Sequence, residues 1–144
     1  MARTTHYQVQ IEFGDCDPVG IVFYPNFQCW MDAASLSFFM QCGLPPWREL
    51  QKSRGIVGTP LLEIHTRFVK AATYAEQLVV TTHVKEWRTK TFTQLHRVTR
   101  ASASGAAELI CEGTEVRAFV RRDPADPDRL RAMPIPEDIR ALCE

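Results

Sequence analysis

The residues best equipped for chemistry lie close together near the N-terminus, in Glu12-Phe-Gly-Asp-Cys-Asp-Pro-Val-Gly-Ile-Val-Phe-Tyr-Pro-Asn26. Two carboxylates, Asp15 and Asp17, stand two apart in a loop bounded by Gly14 and Gly20 that leads into a strongly apolar segment. A carboxylate held beside a carbonyl carbon serves as nucleophile or general base. A helix start offers unpaired N–H groups and roughly half a positive charge, which suits the oxyanion formed when that carbonyl is attacked. The chemistry that fits is acyl transfer. Pro18 biases Asp17 toward extended backbone and narrows the loop's freedom. Gly–Asp and Asp–Pro are also ordinary turn formers, and spacing alone does not choose between Asp15 and Asp17. Cys16 is a further candidate nucleophile, but with no histidine nearby in sequence it reads better as a small apolar residue.

Other chemistries lack their residues. There is no Gly-x-Ser-x-Gly elbow, no phosphate-binding Gly-x-x-x-x-Gly-Lys-Ser/Thr and no His-Glu-x-x-His. The four histidines, His6, His65, His83 and His96, are scattered without metal-ligand spacing, so no metal and no cofactor is expected. The five cysteines are odd in number and form no Cys-x-x-Cys pair, which argues against a disulfide framework or structural zinc. The 17 basic residues balance the 17 acidic ones, so no global attraction to nucleic acid is expected and any anion site must be local. No apolar run approaches the ~20 residues of a membrane span. The first six residues lack the apolar stretch of a signal peptide, which makes the cytosol the expected compartment.

The elements that must position the loop read as follows. Tyr7, Val9, Ile11 and Phe13 alternate with Gln8, Gln10 and Glu12, predicting a half-buried strand over 7–13. A helix begins at Pro25, which has no N–H to waste at the first position, and Gly43 is placed to end it. Phe27, Trp30, Met31, Ala34 and Phe38 follow at helical spacing; Leu36, Phe39 and Met40 widen the apolar face and predict burial on most sides. Residues 44–60 read as a loop with one helical turn from Pro45-Pro46-Trp47. Four strands follow: 62–68, about 77–87, about 91–100, and a less regular one over about 107–120. Arg88-Thr89-Lys90 forms the turn between the second and third of these. Residues 121–131 mix proline and charge and read as a surface loop, and 137–143 as a short terminal helix. One strand, one long helix and four successive strands predict an α+β domain spanning 1–144 with a five-stranded antiparallel sheet. One helix covers only one sheet face, so the chain is expected to oligomerise.

The Ile11–Asn26 stretch resembles, almost residue for residue, the 4-hydroxybenzoyl-coenzyme A thioesterase family, of the type with an aspartate before the central helix of a hotdog fold. Acyl-CoA thioesterases more broadly share only the sparser Asp-x-x-Gly-x-Val-x-Tyr. The likeness continues through Trp30, Asp32-Ala-Ala-Ser35, Cys42-Gly-Leu-Pro-Pro-Trp-Arg48, Gly55-Ile-Val-Gly-Thr-Pro60, Lys85-Glu-Trp-Arg88 with Lys90, and Arg129-Leu-Arg-Ala132. Departures gather in strand residues such as 61–66 and in 121–128.

The resemblance implies a sheet wrapped around a long central helix, a tetramer built as a dimer of dimers, and hydrolysis of an aromatic acyl-CoA. It implies Asp17 as the catalytic carboxylate and the backbone N–H of Tyr24 as oxyanion donor. Asp32 becomes a partner for a hydroxyl on the acyl ring, although a helix aspartate is ordinarily a solvated residue. Trp47, Thr59, Pro60 and Leu61 correspond to the acyl pocket. Arg88, Lys90, Arg129 and Arg131 correspond to positions that meet the phosphates of coenzyme A; as charges alone they would read as a solvated turn and loop. The rivals are a thioesterase for another acyl-CoA and a binding module that holds acyl-CoA without turnover. A hotdog hydratase is disfavoured because no histidine falls in 14–26.

Overall fold

A computed structural model describes residues 2–144. Strand β1 (Thr4–Gln10) is followed by a 3₁₀ turn (Phe13–Asp15), helix α1 (Pro25–Gln41), helix α2 (Trp47–Arg54) and a short strand β2 (Ile56–Gly58). Then come β3 (Leu61–Phe68), β4 (Gln77–Trp87), β5 (Thr91–Ala101), β6 (Ala107–Ala118), β7 (Val120–Arg122), β8 (Leu130–Ala132) and helix α3 (Glu137–Cys143). The main sheet is antiparallel in the order β1-β4-β5-β6-β3, and β2-β7-β8 form a small second sheet. This is the five-stranded antiparallel sheet that the sequence pattern predicts, in the hotdog arrangement that the family resemblance implies. No helix among the described residues is long and apolar enough to cross a membrane.

The central helix begins and ends where Pro25 and Gly43 place it. Gly43 takes a φ of 104°, a left-handed conformation that a side chain disfavours. Phe27, Met31, Ala34, Phe38 and Phe39 are buried against the sheet. Gly113 on β6 lets the helix settle there, because a Cβ at that position would lie 2.8 Å from the Met31 sulfur. The opposite face carries Cys29, Asp32, Leu36 and Met40, all exposed. Burial on most sides therefore does not hold for one chain.

Four local readings are corrected. The first strand ends at Gln10, because the Asp15 carboxylate accepts the Glu12 N–H at 2.8 Å and closes the 3₁₀ turn. Ile11 stays buried, but Phe13 swings out and packs edge-on against Tyr74. The single helical turn near Trp47 is the two-turn α2. The surface loop read over 121–131 is a hairpin: its ends pair as β7 and β8, and only the segment between them is loop. Strands of three residues are too short for alternation to reveal. The outer strand β3 alternates as read, yet nearly all of it is exposed, since it forms a sheet edge that nothing in the chain covers.

Candidate active site

The loop before α1 is pinned by its backbone. Asp17 donates its N–H to the Ile21 carbonyl at 2.9 Å, and Gly20 returns an N–H to the Asp17 carbonyl at 2.9 Å. Phe23 N–H (2.9 Å) and the Asn26 side-chain amide (2.7 Å) both donate to the Asp15 carbonyl, tying the loop to the helix start. Each of the two carboxylates accepts one backbone N–H. Asp15 accepts the Glu12 N–H through Oδ2 at 2.8 Å, and its Oδ1 makes no hydrogen bond within the described residues. Asp17 accepts the Val19 N–H through Oδ1 at 2.9 Å, and its Oδ2 makes no hydrogen bond within the described residues. Cys16 reaches only the Glu12 carbonyl, at 3.9 Å, and has no histidine partner.

At the helix start, Asn26 donates to Phe23 and Phe27 to Tyr24, while Pro25 has no N–H. The Tyr24 N–H finds no acceptor among the described residues. It is thus the free donor at the positive end of α1. Tyr24 and Phe27 meet Phe68 at ring-centroid distances of 6.2 and 5.9 Å, and with Ile21 and Val22 they line a cleft of about 310 Å³.

Open clefts continue along the outer face of α1. One of about 440 Å³ is lined by Pro25, Cys29, Asp32, Leu61 and Ile64. The next, about 350 Å³, is lined by Asp32, Ser35, Trp47, Thr59, Pro60 and Arg117. Asp32, Trp47, Thr59 and Pro60 thus converge in one cleft, and Leu61 faces Asp32 from the adjoining one. Trp47 also serves the core: its ring lies 5.1 Å from that of Phe39 and 6.0 Å from that of Phe119. The eight residue steps from Tyr24 to Asp32 correspond to about 12 Å of helix.

The four basic positions line none of these clefts. Phe119 N–H to the Lys90 carbonyl (3.0 Å) and Ile135 N–H to the Thr89 carbonyl (2.8 Å) dock the 88–90 turn beside the end of β8. Arg88 is exposed and pairs with Glu86 at 3.1 Å; Arg131 lies 3.9 Å from Asp123. Lys90 and Arg129 are exposed and have no carboxylate within ion-pair distance among the described residues.

The sequence matches the thioesterase-like superfamily over residues 11–142. The chain belongs to that superfamily. Among curated proteins it is similar to 4-hydroxybenzoyl-CoA thioesterase of Pseudomonas sp. (strain CBS-3), with 47% identity over 99% of each chain. Among solved structures it resembles 4-hydroxybenzoyl CoA thioesterase mutant D17N complexed with 4-hydroxybenzoyl CoA, with TM-score 0.94 and 46% identity over 99% of this chain and 100% of that one. It also resembles a gentisyl-coenzyme A thioesterase, with TM-score 0.77 and 30% identity over 96% of this chain and 98% of that one.

This member of the thioesterase-like superfamily also carries a set of polar residues that sequence reading did not find. Arg117 is nearly buried, its side chain only 6% exposed, yet it donates to Asp32 Oδ1 at 2.8 Å, to Glu115 Oε2 at 2.8 Å and to the Thr59 carbonyl at 2.9 Å. Glu115 accepts a hydrogen bond from His96 Nε2, and His96 Nδ1 meets the Thr82 hydroxyl at 2.7 Å. His96 thus bridges Glu115 and Thr82 through its two ring nitrogens. Burial pushes the Glu115 carboxyl up, but His96 and Arg117 outweigh it and hold it below the usual carboxylate range. Burial likewise acts to lower the Arg117 guanidinium, and Glu115 and Asp32 raise it above its ordinary value. The one available signal lay in β6, where inward-phase positions carry Gly113, Glu115 and Arg117 and make the alternation look irregular.

Proposed function

We propose that this chain hydrolyses 4-hydroxybenzoyl-CoA, or a closely related hydroxylated benzoyl-CoA, to the free acid and coenzyme A. The carrying observation is the pairing of Asp17, with one carboxylate oxygen uncommitted, and the unpartnered Tyr24 N–H in one pinned loop. In this reading the thioester carbonyl oxygen accepts from Tyr24 N–H. Asp17 attacks the carbonyl carbon, the C–S bond breaks, and coenzyme A leaves as thiolate. Water then opens the mixed anhydride; alternatively, Asp17 takes a proton from water that attacks directly. The similarity to a complexed 4-hydroxybenzoyl CoA thioesterase, crystallised as its mutant D17N, supports both the substrate class and the choice of Asp17.

Asp32 receives the ring hydroxyl in this reading. A ring with a hydrogen bond at each end suits the span from Tyr24 to Asp32. The resemblance to a gentisyl-coenzyme A thioesterase favours a second reading, a benzoyl ring hydroxylated elsewhere. A thiol-release assay across acyl-CoA esters decides between them, and absence of release from all would leave a binding module. Against benzoyl-CoA, the 4-hydroxy ester is expected to show at least about tenfold higher kcat/KM, since a bare ring seated over Asp32 takes the free carboxylate oxygen out of water with no donor in exchange, at a cost on the order of 1–3 kcal/mol. Asp32→Ala should shrink that ratio. Equal rates for the two esters in wild type would exclude Asp32 as the hydroxyl acceptor.

Arg88, Lys90, Arg129 and Arg131 bind the phosphates of coenzyme A in this reading, remote from the reacting carbonyl. Arg88→Ala or Lys90→Ala should raise KM about fivefold and change kcat by less than about twofold, because such contacts act equally on ground and transition states. Added salt should raise the wild-type KM in the same direction. A KM indifferent to both would remove these residues from the site.

The active form is an oligomer, a dimer of dimers, with β3 as the edge that pairs. Leu62 and Ile64 stand exposed there, beside the uncovered outer face of α1. An apolar strand edge of this kind calls for a partner. Light scattering should report at least a dimer at micromolar concentration; a monomer contradicts the reading.

A further inference from the structure

The core is cut in two. One apolar cluster holds Val9, Met31, Val80, Val98 and Ile110, and the other holds Phe38, Val84, Phe92 and Phe119. Each element that crosses the core changes to polar residues at the boundary between them. Strand β4 places Thr82 between Val80 and Val84. Strand β5 places Gln94 and His96 between Phe92 and Val98. Strand β6 places Glu115 and Arg117 before Phe119, and α1 places Ser35 before Phe38. All six are buried.

A polar layer in a small core needs a reason. Removing these groups from water is unfavourable, and apolar side chains of similar volume would serve stability at least as well. The layer has a direction. It starts at Thr82, passes through His96 and Glu115 to Arg117, and emerges at Asp32, whose side chain is 71% exposed. A branch runs from Gln94, whose Oε1 accepts the Ser35 hydroxyl. Gln94 Nε2 has no partner among the described residues. Both branches end on α1 residues that line the same cleft, Ser35 and Asp32.

Arg117 joins the cleft's walls. One guanidinium holds Asp32 on α1 and the Thr59 carbonyl ahead of β3, while Glu115 fixes it from behind. Asp32 Oδ1 is taken by Arg117, and Oδ2 makes no hydrogen bond within the described residues. We propose that Arg117 is a positioning residue for substrate selection: anchored through Glu115 and His96 to Thr82, it fixes the free oxygen of Asp32 against the Thr59–Pro60 wall and so sets the preference for a ring hydroxyl. This rests on the reading of Asp32 given above.

The test is Arg117→Lys, which keeps the charge but lacks the planar fork needed to hold three acceptors. The readout is the ratio of kcat/KM for 4-hydroxybenzoyl-CoA over benzoyl-CoA. The ratio is expected to fall about fivefold or more, the effect of about one well-made hydrogen bond. In an Asp32→Ala background the same change should leave the ratio within about twofold, since residues acting through one contact are not additive. A purely structural role lowers both esters by one factor and preserves the ratio. That result, or an equal fall in both backgrounds, overturns the proposal. If Arg117→Lys fails to fold, Arg117→Met with Glu115→Gln removes both buried charges and is held to the same outcomes. Failure of the Asp32 reading shows separately, as a wild type with no hydroxyl preference, and overturns this inference with it.

Discussion

Asp17→Asn is expected to lower kcat for 4-hydroxybenzoyl-CoA by about 10³-fold while the protein stays folded. The amide is nearly isosteric and still accepts the Val19 N–H through its oxygen, so the turn survives. What disappears is the basic, nucleophilic oxygen, and such a group contributes on the order of 10²–10⁴. Asp15→Asn should act otherwise. Its carboxylate caps the 3₁₀ turn through the Glu12 N–H, so its loss falls on stability, at about 1 kcal/mol or less, and on rate by less than about tenfold. A fast Asp17→Asn beside a dead Asp15→Asn would reverse the assignment. Rapid-quench single turnover with acyl-labelled substrate separates the two mechanisms. Transient label on the protein supports attack by Asp17, and its absence at every time point supports activation of water.

How much of this was legible depends on how far apart in sequence the interacting residues lie. Helix α1 was readable because Pro25 and Gly43 punctuate it and its apolar residues recur at helical spacing. The β4–β5 hairpin was readable because two long alternating runs flank Arg88-Thr89-Lys90, and the Arg88 N–H does close that turn on Thr91 at 2.8 Å. The Asp15–Asp17 ambiguity could not be resolved from spacing, since both are turn residues. In the folded loop each accepts one backbone N–H, so the choice of Asp17 rests on the family resemblance. Phe13 misled because a strand and a 3₁₀ turn share the same local letters until a side-chain cap intervenes.

The polar layer was illegible for a different reason. Arg117 and Asp32 are 85 residues apart, Ser35 and Gln94 are 59, and His96 and Glu115 are 19. No motif spacing joins them. Sheet register does, by placing Gln94 opposite Glu115 and His96 opposite Thr82. Read singly, His96 is a scattered histidine and Glu115 a blemish in a strand.

That layer also carries the largest stability effect expected here. Arg117→Met alone leaves the Glu115 carboxylate, 1% exposed, with His96 but without its countercharge. Breaking a buried pair from one side typically costs about 3–5 kcal/mol, which for a domain of this size lowers Tm by roughly 10–15 °C. Removing both charges, Arg117→Met with Glu115→Gln, leaves no stranded ion and should recover all but about 1–2 kcal/mol. The pH dependence fixes the sign. In wild type the Glu115 carboxyl is held below its ordinary value of 4.5, so its contribution is present above that value and is lost as pH falls through the lowered one. Without Arg117, burial pushes the carboxyl up, and protonation relieves the variant first. The gap between wild type and Arg117→Met should therefore narrow from pH 7 toward acid, as read from urea melts at both ends. A gap of constant size, or a double variant no steadier than the single, would mean that Arg117 supports the fold by packing rather than by neutralising Glu115.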